Sequence, residues 1–163
     1  MQTFETLQEA KDFLKENYKK GVECPCCHQY VKLYGRTINA SMAYALILVS
    51  QYFDAHTDEE WLHVSNYLSD LKIPAPVKMG GDFVKLRHWG LIESAQGRRE
   101  DGSKRNGYHR ITEKGRRFVK RMASVPSKVF IYNDRVLGVD SKPMTIDDAL
   151  GKKFNYDNLM ANV

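Results

Sequence analysis

Cysteine is scarce in this 163-residue chain: there are three, and all of them fall in one short stretch as Cys24, Cys26 and Cys27. An odd number packed so closely cannot build a disulfide framework, so reduced thiols are expected. Long apolar runs are missing as well. The most apolar stretch, Ala40 to Val49, is shorter than the roughly 20 residues a helix needs to cross a bilayer. Met1 to Thr6 has neither the basic start nor the apolar segment of a secretory signal, and a cytoplasmic protein without membrane attachment is expected. There is no internal repeat, no low-complexity segment and no phosphate-cradling glycine loop. Asp147 and Asp148 form an acidic pair at a helix start, where carboxylates complement the dipole, and they have no evident partner for a metal site. A non-enzyme is expected.

What remains is ordinary for a globular protein. Hydrophobic residues make up 42% and charged residues 28%, enough apolar material for a real core in one domain with additions. The 25 Lys and Arg outnumber the 20 Asp and Glu, giving a formal charge of +5 and a pI near 9.0. That mild excess permits a nucleic-acid partner without requiring one.

Thr6 and Glu9 have the spacing of a capping box, and Leu7, Ala10, Leu14 and Tyr18 follow at helical intervals. A helix over 6–20 closed by Gly21 is predicted. Next comes Cys24-Pro-Cys-Cys-His28. A Cys-Pro-x-Cys turn resembles one knuckle of a zinc ribbon, in which two thiolates converge. Cys24, Cys27 and His28 are the candidate ligands. A complete site needs a further ligand from His56, His63, His88, His109 or a second subunit, and the alternative is a compact turn of unliganded thiols.

Gln29 to Tyr34 alternates like a short strand, with Tyr30, Lys32 and Tyr34 on one side. Thr37 or Asn39 can begin a helix to about Phe53 that is apolar nearly all round, and so buried on several sides. Trp61 to Val64 has strand composition, and Ser65 is a suitable cap for a helix over 66–71 that Pro74 and Pro76 must interrupt. A third helix is predicted from about Met79 or Gly81 to Trp89, ending at Gly90. Thr112 caps a helix from Glu113 to Met122 whose Arg116, Arg117, Lys120 and Arg121 offer a basic surface. Val129 to Val139 reads as a β-hairpin turning at Asn133-Asp134. Thr145 starts a short helix ending at Gly151, before a tail containing Phe154, Tyr156, Leu159 and Met160.

Lys85-Leu-Arg-His-Trp-Gly-Leu-Ile-Glu93 resembles the end of a winged-helix recognition helix entering its first wing strand. Tyr108-His-Arg-Ile-Thr-Glu-Lys-Gly115 is similar to the close of the second wing strand in bacterial regulators of the MarR and PadR type. The chain also has a general resemblance to small phage and prophage proteins. The resemblance implies an α+β, mainly helical fold: an N-terminal helix and Cys-rich turn over 1–36, a winged helix-turn-helix domain over 37–122, and a C-terminal hairpin, short helix and tail over 123–163. It further implies a transcriptional regulator that binds double-stranded DNA, with a homodimer as a common arrangement. A protein partner bound on the same scaffold is the alternative.

The residues that would meet DNA are Lys78, Lys85, Arg87 and His88 on the third helix and Arg98, Arg99, Lys104 and Arg105 in the loop between the strands. Gly80, Gly81 and Asp82 stand where base-reading side chains usually sit, so phosphate and wing contacts are expected to dominate.

Overall fold

The computed structural model describes residues 3–71, 81–97, 102, 107–132 and 134–161. Among them the fold is α+β, with seven helices and four small antiparallel sheets. The chain divides into two compact units: 1–36 with 128–139, and 37–127 with 140–163. The segment 123–163, expected as one extension, is therefore shared between them. Its hairpin belongs with the N-terminal residues, and its short helix and tail belong with the larger unit.

In the smaller unit, helix α1 (Leu7–Asn17) starts at the expected capping box. The Thr6 hydroxyl accepts from the Glu9 N–H, and the Glu9 carboxylate accepts from the Thr6 N–H. Strands β1 (Val22–Glu23) and β2 (Tyr30–Val31) pair antiparallel around the cysteine turn. The alternating segment after His28 is not one strand. It breaks at Lys32 and Leu33, and its second half, β3 (Tyr34–Arg36), pairs with β8 (Val129–Tyr132), which also pairs with β9 (Arg135–Val139). Tyr18 meets Tyr132 with ring centroids 5.3 Å apart, and the Leu33 N–H bonds the Tyr18 carbonyl at 3.0 Å.

The larger unit is built round α2 (Ala40–Ala55), capped by Asn39, whose side-chain oxygen accepts from the Met42 N–H at 2.9 Å. Leu46, Ile47 and Val49 are fully buried and Phe53 nearly so. The helix packs against α4 (Glu113–Val119), α5 (Ile146–Leu150), β6 (Tyr108–Ile111) and the Gly81–Trp89 helix. Each such aliphatic or aromatic side chain contributes about 1.5–3 kcal/mol by leaving water, which explains an apolar run with no polar face.

Helix α3 (Val64–Asp70) begins one residue earlier than expected. Its cap is His63 rather than Ser65, with His63 Nδ1 accepting from the Asn66 N–H at 3.3 Å. Strands β4 (Leu62–His63), β6 and β5 (Ile92–Ser94) form a three-stranded sheet in the order β4-β6-β5. Ile92 faces Ile111 and Ser94 faces His109 across β5 and β6.

The C-terminal tail lies on this same unit. Tyr44 and Phe154 approach to 4.7 Å between centroids, Gln51 Nε2 donates to the Leu159 carbonyl at 3.0 Å, and the Tyr156 hydroxyl donates to the Val119 carbonyl at 2.7 Å. These contacts place α6 (Tyr156–Ala161). Strands β7 (Val125–Pro126) and β10 (Pro143–Met144) pair on either side of the β8–β9 hairpin.

Candidate nucleic-acid interface

The segment expected as a third α-helix is a 3₁₀ helix over Gly81–Trp89. Three residues per turn stack side chains in strict i, i+3 rows, and burial follows those rows. Phe83, Leu86 and Trp89 are buried at 8%, 0% and 3% exposure. Asp82 and Arg87 are exposed, while Lys85 and His88 are half-buried. The buried row is held down at its end, where the Trp89 indole N–H donates to the Pro126 carbonyl at 2.9 Å.

Gly90 stops this helix with φ +74, a conformation in which side chains are strained. The Gly90 N–H bonds the Arg87 carbonyl and the Leu91 N–H reaches back to Leu86, the paired bonds of a Schellman motif. Thr112 then ties the turn to the next helix: its hydroxyl donates to the Gly90 carbonyl at 2.6 Å and accepts from the Gly115 N–H at 3.0 Å. Lys114 lies beside the same turn, its side chain close to where a Gly90 Cβ would sit.

The expected DNA-facing residues fall into two groups. Lys85, Arg87 and His88 are on the 3₁₀ helix, and Lys85 Nζ is already 2.7 Å from Asp82 Oδ1, one turn earlier in the same row. Lys78, Arg98, Arg99, Lys104 and Arg105 lie outside the described residues. The loop that carries the last four leaves β5 and re-enters at β6, between Gly97 and Gly107, and Ala95 N–H bonds the Tyr108 carbonyl at its base.

Cations on either side of this region are largely paired within the chain. Arg110 donates to Glu93 at 2.7 Å and Glu60 at 3.2 Å, with its guanidinium 4.5 Å from the Trp61 ring centroid. Arg116 bonds Asp54 at 3.0 Å, with Lys120 at 3.8 Å from the same carboxylate. Arg121 makes a two-pronged bond to Asp147 at 2.7 and 2.9 Å and stacks 3.9 Å from the Tyr156 ring centroid. The basic surface expected of α4 is thus reduced: three of its four expected cations face carboxylates from α2 or α5. Long-range pairing of this kind has no local sequence signal. Asp147, which seemed to serve only the helix dipole, is the anchor for Arg121.

Between sheet and 3₁₀ helix sits His109, 8% exposed. Ser94 Oγ is 3.0 Å from its Nδ1, and the Phe83 ring meets it at 5.7 Å between centroids. Burial pushes its pKa below the ordinary histidine value, helped by the nearby charges of His63 and Arg87. The neutral ring is a packed link between strand and helix.

The cysteine turn belongs to the smaller unit. Cys24 is buried, and Cys26 and Cys27 are exposed. Hydrogen bonds from the Cys27 and Cys26 backbone N–H groups hold the Cys24 thiol below its usual pKa. His28, expected as a ligand, has its Nδ1 3.1 Å from Glu23 Oε1. Among the described residues no three or more His, Cys, Asp or Glu side chains are grouped to hold a metal ion, so Cys24, Cys27 and His28 do not converge as a set. None of the described helices is long and apolar enough to cross a membrane. Comparison with protein-family models, curated proteins and solved structures yields no match to this chain.

Proposed function

We propose that the chain is a winged-helix DNA-binding protein, a transcriptional regulator that grips double-stranded DNA through phosphate and wing contacts. The observation that supports this reading is the element order in the larger unit. Helix α2, strand β4, helix α3 and the Gly81–Trp89 helix are followed by β5 and β6, which pair in the sheet order β4-β6-β5. The connection between β5 and β6 carries Arg98, Arg99, Lys104 and Arg105. Arginines presented between two strands neutralise phosphates or enter a minor groove, which gives affinity that falls steeply with salt.

Within this reading the wing contributes more than the helix. Lys85 enters a complex already paired to Asp82, and Asp82 itself opposes phosphate. Such a protein binds duplexes with modest sequence preference, because phosphate contacts position a protein without reading bases.

The test is fluorescence anisotropy with a labelled duplex at two salt concentrations. Binding at low salt that weakens at high salt, and that drops in the R98A/R99A variant, is the expected result. A protein that ignores duplex DNA at low salt, or a double variant that binds as well as the parent, removes the proposal.

One observation favours a second reading, in which the scaffold serves a protein partner. Strand β9 exposes Val136, Leu137 and Val139 at 39%, 50% and 54%. Apolar side chains at a sheet edge suit protein contact better than phosphate. Co-purification of a protein partner that is lost on changing Leu137 to Asp, with no affinity for DNA, would replace the first reading by the second.

A further inference from the structure

The cysteine turn has features that DNA binding does not use. Its backbone is closed twice: the Cys24 N–H bonds the Gln29 carbonyl at 2.7 Å, and the His28 N–H bonds the Cys24 carbonyl at 2.9 Å. His28 carries φ +64, a conformation that non-glycine residues adopt at a cost of about 1 kcal/mol or more. The strand pairs Val22 with Val31 and Glu23 with Tyr30 enforce it. Inside the turn the Cys24 sulfur is buried and accepts hydrogen bonds from the N–H groups of both Cys26 and Cys27.

Backbone N–H groups aimed at a sulfur stabilise negative charge on it, as turn amides do in anion-binding concavities. A thiol needs no such donors to pack in a core. The donors make sense when the sulfur is a thiolate, and a thiolate is the form that binds a metal. Cys24 and Cys27 also have the two-residue separation characteristic of paired thiolate ligands.

Two thiolates do not fill the tetrahedral shell of a structural zinc ion. His28 faces Glu23, and every cysteine in the chain is in this turn. The remaining ligands therefore have to come from another molecule that carries the same pair. A second copy related by a two-fold axis supplies two more thiolates in an arrangement that closes on itself.

We infer that the Cys24-Pro-Cys-Cys27 turn is half of a metal site, and that a thiophilic divalent ion, zinc being the model, bridges the turns of two copies through Cys24 and Cys27 of each. Four thiols bind as thiolates, so four Cys–SH and one Zn²⁺ yield the tetrathiolate and four protons. No oxidant or reductant is needed. Cys26 is not a ligand; its role is the N–H it offers to Cys24. The site does not depend on the DNA-binding proposal, since it lies in the other unit.

The test uses the full chain, reduced and freed of metal, titrated with Co²⁺ and then Zn²⁺. The expected result is a thiolate-to-cobalt absorption band that saturates at one ion per two chains and is displaced by zinc, with a metal-dependent doubling of mass in light scattering. Cys27→Ser, at an exposed position, abolishes the band, and Cys26→Ser leaves it in place. Should Cys24→Ser disturb the buried turn and impair folding, the contrast between Cys26 and Cys27 still decides the matter. Absence of a thiolate band, saturation at one ion per monomeric chain, or equal loss in Cys26→Ser and Cys27→Ser would overturn the proposal. DNA affinity measured with and without metal keeps the two proposals separable, because duplex binding by the metal-free monomer leaves the wing reading intact.

Discussion

The Thr112 hydroxyl hydrogen and the Gly90 carbonyl oxygen, 22 residues apart in sequence, share a hydrogen bond of 2.6 Å. The same hydroxyl caps α4 by accepting from Gly115, so one side chain fastens the end of the 3₁₀ helix to the start of α4. Thr112→Val keeps the shape and removes both bonds. It should destabilise the fold by about 1–2 kcal/mol, read as a lower urea midpoint with an unchanged slope. A midpoint equal to the parent's would mean that the hydroxyl links nothing of consequence.

Gly115 should tolerate no side chain. A Cβ there would overlap the Leu91 carbonyl oxygen and stand 2.7 Å from Ile111 Cγ1, and the Leu91 oxygen is backbone engaged by the Thr112 N–H at 3.0 Å. Gly115→Ala gains helix propensity of roughly 1 kcal/mol but overpacks a site that cannot yield, at a cost of about 1–3 kcal/mol or more. The net outcome expected in thermal unfolding is destabilisation. A stabilised variant would show that α4 can lift from the Leu91 turn.

Asp82→Asn should tighten DNA binding. The change releases Lys85 from its 2.7 Å pair and removes a carboxylate from the exposed row, so affinity at low salt should rise about three- to ten-fold, and the gain should shrink as salt screens it. Anisotropy titrations of parent and variant at two salt concentrations measure this. Equal affinities would place the 3₁₀ row away from the DNA and leave the wing as the only contact.

His109 should make stability depend on pH. Its folded-state pKa lies below the ordinary value near 6.5 because burial disfavours the charged ring. The unfolded chain therefore takes up a proton first. Stability from this group is complete above about pH 6.5 and declines as pH falls from there through the folded-state pKa. Urea midpoints at pH 7.5 and 5.5 should differ more for the parent than for His109→Gln. An identical difference in both would assign the pH dependence elsewhere.

Local signals carried much of the fold. Thr6, Asn39, Thr112 and Thr145 all cap the helices they were expected to start, because a cap is a contact among neighbouring residues. Strands β5 and β6 lie where their composition puts them. What the sequence reading missed is instructive. The 3₁₀ form of Gly81–Trp89 was present as a strict three-residue spacing of Phe83, Leu86 and Trp89, a signal a 3.6-residue template absorbs without distinguishing. The His63 cap was hidden by a better-ranked serine two residues on. Pairing of β3 with β8 has no local cue, since it joins Tyr34 to Ile131. The site was less legible than the fold for a related reason: whether Arg110, Arg116 or Arg121 presents its charge to a ligand depends on carboxylates distant in sequence.

The sharing of the C-terminal segment between the two units has a consequence for synthesis. Arg36 ends the first part of the smaller unit and Lys128 begins the second, so ribosomes must add 92 residues (128 − 36) before β3 can meet its partner. At about 5–20 residues per second the N-terminal helix and cysteine turn wait roughly 5–20 s without the strand that completes their sheet. Through that interval the nascent chain carries three thiols on an unfinished unit, and the order of folding is decided by translation rate as well as by energy.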